Sequence, residues 1–299
     1  MLSAGEHRIA INGVEHWLHV AGDGPPIVVV HGGPGANAHV SEVTVGPLLA
    51  RFATTVHFDQ RGCGRSGAAD SVSLAELVAD LDGVRAALGL PTITVLGQSF
   101  GGRIAAAYAI AHPDRVTGLV LHAPPITNPL RPNAWALRPA MIDPLLGTEA
   151  RAAMRAELTG DQAARFAAAH RALDRDPAAR ARFFCHDPAK APDLLRIVDA
   201  CEELGTNERM GPALGPTGAD DLSDALAEVD VPTLVMVGLA DHNIGVDACR
   251  DLAGRLPRGE LHLFTRSAHF PEHEQPDDYA EAVREFVSRD HAVPAARPR

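Results

Sequence analysis

The chain has 299 residues, 46% of them hydrophobic, which is enough for one large α/β domain with an inserted cap. It carries 27 Lys and Arg against 38 Asp and Glu, so its formal net charge is −11. This acidic balance argues against nucleic acid or an anionic membrane surface as a partner.

The first informative element is the apolar run at residues 26–30, which predicts a buried strand and leads into the string HGGPG at residues 31–35. Glycines in such a loop let backbone and substrate approach closely. A loop in this position can supply a backbone N–H to an oxyanion hole, where the negative charge of a tetrahedral intermediate is stabilised. We expect Gly33 to be one donor and the amide of Phe100 to be the other.

Next in the chain is the string DQRGCGRS at residues 59–66. Its glycines permit unusual backbone angles, and Arg61 and Arg65 can tie carbonyls or carboxylates together. We interpret these charged residues as architectural rather than catalytic.

The strongest signal lies at residues 92–102, where a β-branched run ends on the string GQSFGG and is followed by a helical pattern at residues 103–111. Such a serine between a strand and a helix is typical of a nucleophile elbow. The turn is too tight for side chains at the positions two residues before and after the serine, which here are Gly97 and Gly101. We therefore expect Ser99 to be a catalytic nucleophile. The alternative is a glycine turn that happens to contain a serine.

The composition changes at the proline cluster of residues 123–132, and residues 149–184 are rich in Ala, Arg, Leu and Glu, which favours helices over strands. Glycine and proline at residues 210–218 indicate the return of the chain. We predict a first core segment at residues 1–123, a helical cap at 124–225 and a second core segment at 226–299, of which the tail from residue 291 is loose.

A buried strand is predicted at residues 231–238 and a further strand at residues 259–264. Asp241 follows the first and His269 follows the second, so an acid and a base come after the serine in the order Ser, Asp, His of an α/β-hydrolase. His242 and His273 are alternatives for the base. Asp247 is the alternative for the acid, although it could equally be a helix-start carboxylate.

The strings HGGPG, FDQRGCGRS and GQSFGG together resemble the proline iminopeptidase branch of the α/β-hydrolases, over residues 27–120 and 231–287. This resemblance implies an α/β fold with a mostly parallel central sheet, helices on both faces and an inserted helical cap. It also implies a triad of Ser99, Asp241 and His269. The implied substrate is a small peptide or amide with a free amino-terminal residue.

Binding a protonated amino terminus calls for a carboxylate near the pocket. The acidic run at residues 199–208 offers Glu202 and Glu203, which could also be a solvated face of a helix.

Other functions stay open. The strings around Ser99 and His269 are similar to those of esterases and C–C hydrolases, so a carboxylic ester or a lactone is an alternative substrate. An α/β-hydrolase fold can also host a biosynthetic lyase or cyclase, or a binding protein whose active site is lost. A binding protein of that kind would be expected to have a broken triad or oxyanion loop, and this chain has neither.

Serine chemistry of this kind needs no metal or organic cofactor. The four cysteines are widely separated and show no metal-ligand spacing, which predicts reduced thiols. The sequence has no signal-like amino terminus and no run of roughly 20 apolar residues, so we expect a cytoplasmic protein without a membrane partner. The oligomeric state is left open.

Overall fold

The strands of the computed structural model belong to one sheet. They are β1 (Gly5–Ile11), β2 (Val14–Ala21), β3 (Pro26–Val30), β4 (Thr54–Phe58), β5 (Ile93–Gln98), β6 (Val116–His122), β7 (Thr233–Gly238) and β8 (Gly259–Phe264). Their order is β1-β2-β4-β3-β5-β6-β7-β8. Only β2 runs antiparallel to its neighbours, and β4 to β8 are joined in parallel pairs. The strands predicted at residues 26–30, 231–238 and 259–264 are β3, β7 and β8.

The structure describes residues 1–126, 134–214 and 222–289, without the side chains of 134–136, 212 and 213. Most of the predicted proline cluster, the end of the predicted return at residues 215–218 and the predicted loose tail therefore lie outside the described residues.

Helices before β6 are α1 (His39–Thr44), α2 (Gly46–Leu49), α3 (Leu74–Ala87) and α4 (Phe100–Ala111). Between β6 and β7 the described residues form α5 (Ala134–Ile142), α6 (Thr148–Glu157), α7 (Gln162–Asp174), α8 (Pro177–Phe184), α9 (Ala191–Glu203), α10 (Met210–Leu214) and α11 (Ser223–Ala227). The chain continues with α12 (Val246–Arg255), α13 (Pro271–Glu274) and α14 (Pro276–Val287).

The central strands are buried on both faces, which explains why their sequences are continuous apolar runs. Neighbouring side chains of one strand enter two different apolar clusters. Val28 shares a cluster with Ile104 of α4, whereas Val29 shares one with Phe286 of α14. Because successive strand residues point to opposite faces, helices cover both faces of the sheet. The predicted fold is confirmed.

Helices α5 to α8 have an apolar cluster of their own, which includes Ile142, Met154, Leu173 and Phe183. The described residues between β6 and β7 contain helices and no strand, which agrees with the composition of that segment. The domain boundaries at 123/124 and 225/226 stay predictions. None of the helices in the described ranges combines the length and apolarity that crossing a bilayer would require.

Candidate active site

The elbow at residues 97–101 joins β5 to α4. Ser99 has φ 47° and ψ −121°, a backbone conformation that residues other than glycine rarely adopt. A Cβ added at Gly97 would lie 2.5 Å from the carbonyl oxygen of Gly101, and one added at Gly101 would lie 2.1 Å from that of Val30. Both positions therefore need glycine. This close packing holds the strained serine at the carboxyl end of the sheet.

Asp241 and His269, which follow β7 and β8, lie in direct contact. Nδ1 of His269 is 2.8 Å from Oδ2 of Asp241, and both residues are buried. Oδ1 of Asp241 accepts hydrogen bonds from the backbone N–H groups of Asn243, at 2.6 Å, and Ile244, at 2.9 Å. Burial opposes ionisation of Asp241, but His269 and these N–H groups outweigh it and lower the pKa to about 2. An ionised carboxylate only accepts, so Nδ1 of His269 carries the proton and Nε2 is free to accept one.

The alternative residues lie elsewhere. Asp247 is in the first turn of α12, where its side chain is 84% exposed and pairs with Arg250 at 2.9 Å. His273 Nε2 is 3.0 Å from the backbone oxygen of Lys190. His242 is half-buried and follows Asp241 in the chain, and the carboxylate acts on its ring by charge, against the burial that lowers the pKa of His242. The structure thus brings Asp241 to His269 and to neither alternative base.

The glycine-rich loop after β3 faces the elbow. Gly33 has φ 65° and its carbonyl accepts a hydrogen bond from the N–H of Ala36 at 2.9 Å. A Cβ added at Gly32 would lie 3.1 Å from Cβ of Ser99. Phe100, the other expected donor, is the buried first residue of α4. Phe100 thus follows Ser99 in the chain, and Gly33 is the residue after the one that approaches Ser99 and lines the same cavity.

The loop at residues 59–66 is hydrogen-bonded to the glycine-rich loop and to the segment that follows it. Arg65 donates from Nε and from its backbone N–H to Oδ2 of buried Asp59, at 2.9 and 2.7 Å, and its guanidinium lies 3.1 Å from the ring centroid of Trp17. Oδ1 of Asp59 accepts from the N–H of Ala38 at 2.8 Å. Arg61 is bonded to Asp80. These contacts hold backbone segments together and leave no charged group directed at the reacting atoms.

A cavity of about 410 Å³ opens over Ser99 and His269. Gly33 also lines it, and α9 and the residues after it contribute Glu202 and Glu208. All three glutamates are exposed, and Glu203, the neighbour of Glu202, is not part of the lining. Of the two residues proposed from the sequence, one thus lines the cavity, together with a third glutamate from the same acidic run.

The part of the cavity lining at residues 201–208 is hydrogen-bonded to the glycine-rich loop and to Asn37 just after it. The side-chain amide of Asn37 donates to the carbonyl oxygens of Cys201, at 2.7 Å, and Gly205, at 3.1 Å. The N–H of Asn207 donates to the carbonyl of Gly35 at 2.7 Å. The segment that carries Glu202 and Glu208 is thereby fixed relative to the expected oxyanion donor.

Sequence reasoning missed three buried polar residues around Ser99 and His269, namely Gln98, His122 and Glu272. Gln98 is inside the GQSFGG string and Glu272 is three residues after His269, but nothing in the sequence indicates that their side chains are buried together. In the described ranges, no group of three or more His, Cys, Asp or Glu side chains is placed to hold a metal ion.

Comparison with known proteins gives the family. The family model for the alpha/beta hydrolase fold matches residues 25–276. The chain therefore belongs to the α/β-hydrolase family.

Its relatives include proteins with different named activities. The chain is 27% identical over 278 residues to a proline iminopeptidase of Heyndrickxia coagulans, covering 89% of this chain and 92% of the relative. It is 30% identical over 302 residues to a 2-hydroxymuconate semialdehyde hydrolase of a Pseudomonas species, covering 96% and 95%. The resemblance to α/β-hydrolases with relatives among the proline iminopeptidases is confirmed.

A solved structure, the proline iminopeptidase-related protein of Thermus thermophilus, superposes with a TM-score of 0.74 at 23% identity, covering 96% of this chain and 98% of that one. At this identity the likeness concerns the fold. The family makes the chain a hydrolase, and the particular substrate has to be argued from the site.

Proposed function

We propose that this hydrolase forms an acyl-enzyme on Ser99 and acts as a proline iminopeptidase-like aminopeptidase or amidase on small substrates with a free amino terminus. One observation carries the substrate class. The cavity that Ser99 and His269 line is also lined by the acidic residues Glu202 and Glu208. A reactive serine and an anionic subsite in one cavity suit a substrate whose scissile carbonyl is close to a protonated amine.

The proposed reaction uses the groups around the elbow. Ser99 attacks the carbonyl carbon while Nε2 of His269 takes its proton, and the same proton is returned to the leaving amine. Asp241, 2.8 Å from Nδ1, keeps the imidazole in the required tautomer and stabilises it when it becomes charged. The N–H groups of Gly33 and Phe100 bind the oxyanion, and each such donor contributes about 10²–10³ in rate. Water then hydrolyses the ester by the same steps.

The proposed amine subsite depends on charge. A carboxylate that faces an ammonium across a partly enclosed cavity makes a charge-assisted hydrogen bond, about twice as strong as a neutral one. Glu202 is at the end of α9 and Glu208 follows the segment that Asn37 and Asn207 tie to the glycine-rich loop. An amine held there is at a fixed distance from the oxyanion donors.

A carboxylic-ester hydrolase is the second candidate, favoured by a different part of the cavity. Phe184 and Phe270 line it together, with ring centroids 5.8 Å apart, and Phe270 packs edge-on against His269 at 5.2 Å. An apolar wall next to the base suits an uncharged acyl or alkyl group. The 30% identity to a 2-hydroxymuconate semialdehyde hydrolase also supports a substrate without an amine.

A paired substrate panel distinguishes the two. Prolyl and alanyl anilides, the same anilides with an acetylated amine, and short-chain aryl esters are compared for the wild-type protein and for Ser99→Ala. The proposal expects cleavage of the free-amine anilides that depends on Ser99 and is lost on acetylation. Cleavage of esters alone would favour the second candidate.

The chain provides a matched control for the amine subsite. Glu202 lines the cavity and Glu203 does not, although both are exposed, so Glu202→Gln and Glu203→Gln remove the same charge from neighbouring positions. We expect Glu202→Gln to raise KM for prolyl anilide about tenfold, the loss of one charge-assisted hydrogen bond, and Glu203→Gln to leave it unchanged. Equal effects of the two substitutions would contradict the subsite.

A further inference from the structure

Three buried polar side chains lie around the elbow, and the proposed reaction does not use them; Gln98 and His122 also line the cavity, whereas Glu272 does not. Gln98, His122 and Glu272 are 6%, 2% and 2% exposed. They come from the end of β5, the end of β6 and the helix α13 after His269. Burial of three polar groups is costly compared with apolar side chains of the same volume. Their presence at this place therefore calls for a role.

The three are joined in a chain of contacts. Nε2 of Gln98 donates to Oε1 of Glu272 at 2.9 Å and lies 3.4 Å from Nδ1 of His122. Nε2 of His122 is 3.1 Å from the backbone oxygen of His269. The backbone oxygen of His122 in turn accepts the N–H of Ser99 at 2.8 Å. The trio thus connects the elbow with the loop that carries His269.

The proton positions are determined by the donors. The side-chain amide of Gln98 can only donate through its nitrogen, so Nδ1 of His122 accepts and Nε2 carries the proton that it donates to the oxygen of His269. Burial, helped by nearby His269, lowers the pKa of His122 to about 3, so the ring is neutral as this arrangement requires. Burial raises the pKa of Glu272 to about 8, so at pH 7 it is protonated and offers Gln98 a carbonyl oxygen.

We propose that Gln98, His122 and Glu272 are positioning residues that hold the Ser99 elbow and the His269 loop in the geometry needed for proton transfer between serine and histidine. The inference rests on the proposed function of Ser99 and His269. Gln98 is the centre of the trio because its amide supplies both side-chain contacts. An apolar side chain at position 98 could fill the same space but would leave Nδ1 of His122 without a donor, and so would not fix the tautomer that donates to the oxygen of His269.

The direct test is the rate at which a fluorophosphonate probe labels the protein at pH 7, since this reaction needs an activated serine but no substrate recognition. Gln98→Met keeps the length of the side chain and removes the amide, and Gln98→Leu is the second variant. We expect labelling to slow at least tenfold, because small displacements of reacting groups have effects of this size. Thr94→Val is the matched control. It removes a polar contact of 3.1 Å with Thr117 at the other end of the same two strands, and labelling should stay within about twofold of wild type.

Glu272 provides a rescue experiment. Glu272→Gln keeps an oxygen that can accept from Gln98 and should retain most of the labelling rate, whereas Glu272→Leu should lose it as Gln98→Met does. A role in stability alone would lower the Tm of the variants while leaving the labelling rate of the folded protein unchanged. That result would overturn the inference, as would equal rates for Glu272→Gln and Glu272→Leu.

A double-mutant cycle tests whether the residues act together. Gln98→Met, His122→Phe and the double variant should show labelling losses that do not multiply, since either substitution interrupts the same connection. Losses that multiply would contradict the inference. The failure of the proposed function is distinguishable, because in that case Ser99→Ala would be labelled as fast as wild type. If Ser99→Ala is unlabelled and Gln98→Met reacts at the wild-type rate, only the positioning role is wrong.

Discussion

Replacing Glu272 by glutamine should stabilise the protein at alkaline pH and leave its stability almost unchanged in acid. The carboxyl group is fully buried and its neighbours in the described residues provide no cation. They are the amide of Gln98 from β5, the hydroxyl of Thr44 from α1 at 3.4 Å, neutral His122 from β6 at 3.9 Å, Tyr279 from α14 and Glu274 from the same helix. Burial without a positive partner raises the pKa of Glu272 to about 8 from its ordinary value of 4.5.

The direction in which stability changes with pH follows from the difference in proton binding between the folded and unfolded protein. Between pH 4.5 and about 8 the folded protein holds a proton on Glu272 that the unfolded chain has released. Stability therefore falls as the pH rises through this range and stays level above it. The gap between the two pKa values corresponds to a loss of about 5 kcal/mol at pH 9 and about 2 kcal/mol at pH 6. Glutamine cannot ionise, so the variant should not show this loss.

Urea unfolding of wild type and Glu272→Gln at pH 5, 6, 7, 8 and 9 measures the difference directly. The free energy of unfolding of the variant should exceed that of wild type by an amount that grows with pH and levels off near pH 8. Since Gln98 can relax towards an ionised carboxylate, about 5 kcal/mol is the upper limit. Glu203→Gln, at an exposed position, is the control and should give no trend. A difference that does not change with pH would refute the burial argument.

Three further predictions concern the rest of the site. Asp241→Asn should lower kcat/KM on an aryl ester by about 10⁴, because the amide no longer selects the tautomer of His269, and a loss under tenfold in a steady-state assay would contradict this role. Arg65→Lys should cost about 2 kcal/mol in urea unfolding, since lysine cannot replace both the fork on Asp59 and the stacking on Trp17, and a cost below 0.5 kcal/mol would argue against an architectural role. Gly101→Ala should prevent folding, because its Cβ would lie 2.1 Å from a backbone oxygen. A soluble, active variant with the wild-type Tm would show that the elbow can relax.

The parts of the site that sequence reasoning located are those with a local signature. The GQSFGG string predicts an elbow because so tight a turn leaves no room for side chains at positions 97 and 101. In the structure, a Cβ added at either glycine would lie within 2.5 Å of a backbone oxygen. Asp241 and His269 follow two strands, β7 and β8, whose ends meet at one edge of a parallel sheet. These relations depend on a few neighbouring residues, and a single sequence displays them.

The parts that it missed depend on contacts between distant residues. Gln98 and Glu272 are 174 positions apart in the chain and 2.9 Å apart in the structure. The same applies to the cap, where composition predicts helices but does not say that Glu202 faces the cavity and Glu203 does not. The mostly parallel sheet was implied by the resemblance to a family rather than by the residues themselves, and the order of its strands was not predicted.

The central claim is that Ser99 becomes acylated during turnover. The most direct measurement is mass spectrometry of the protein quenched in acid while it hydrolyses an activated aryl ester, followed by peptide mapping. The account predicts one added acyl group on the peptide that contains Ser99, and no adduct in Ser99→Ala. An acyl group on another residue, or turnover by Ser99→Ala at the wild-type rate, would contradict it.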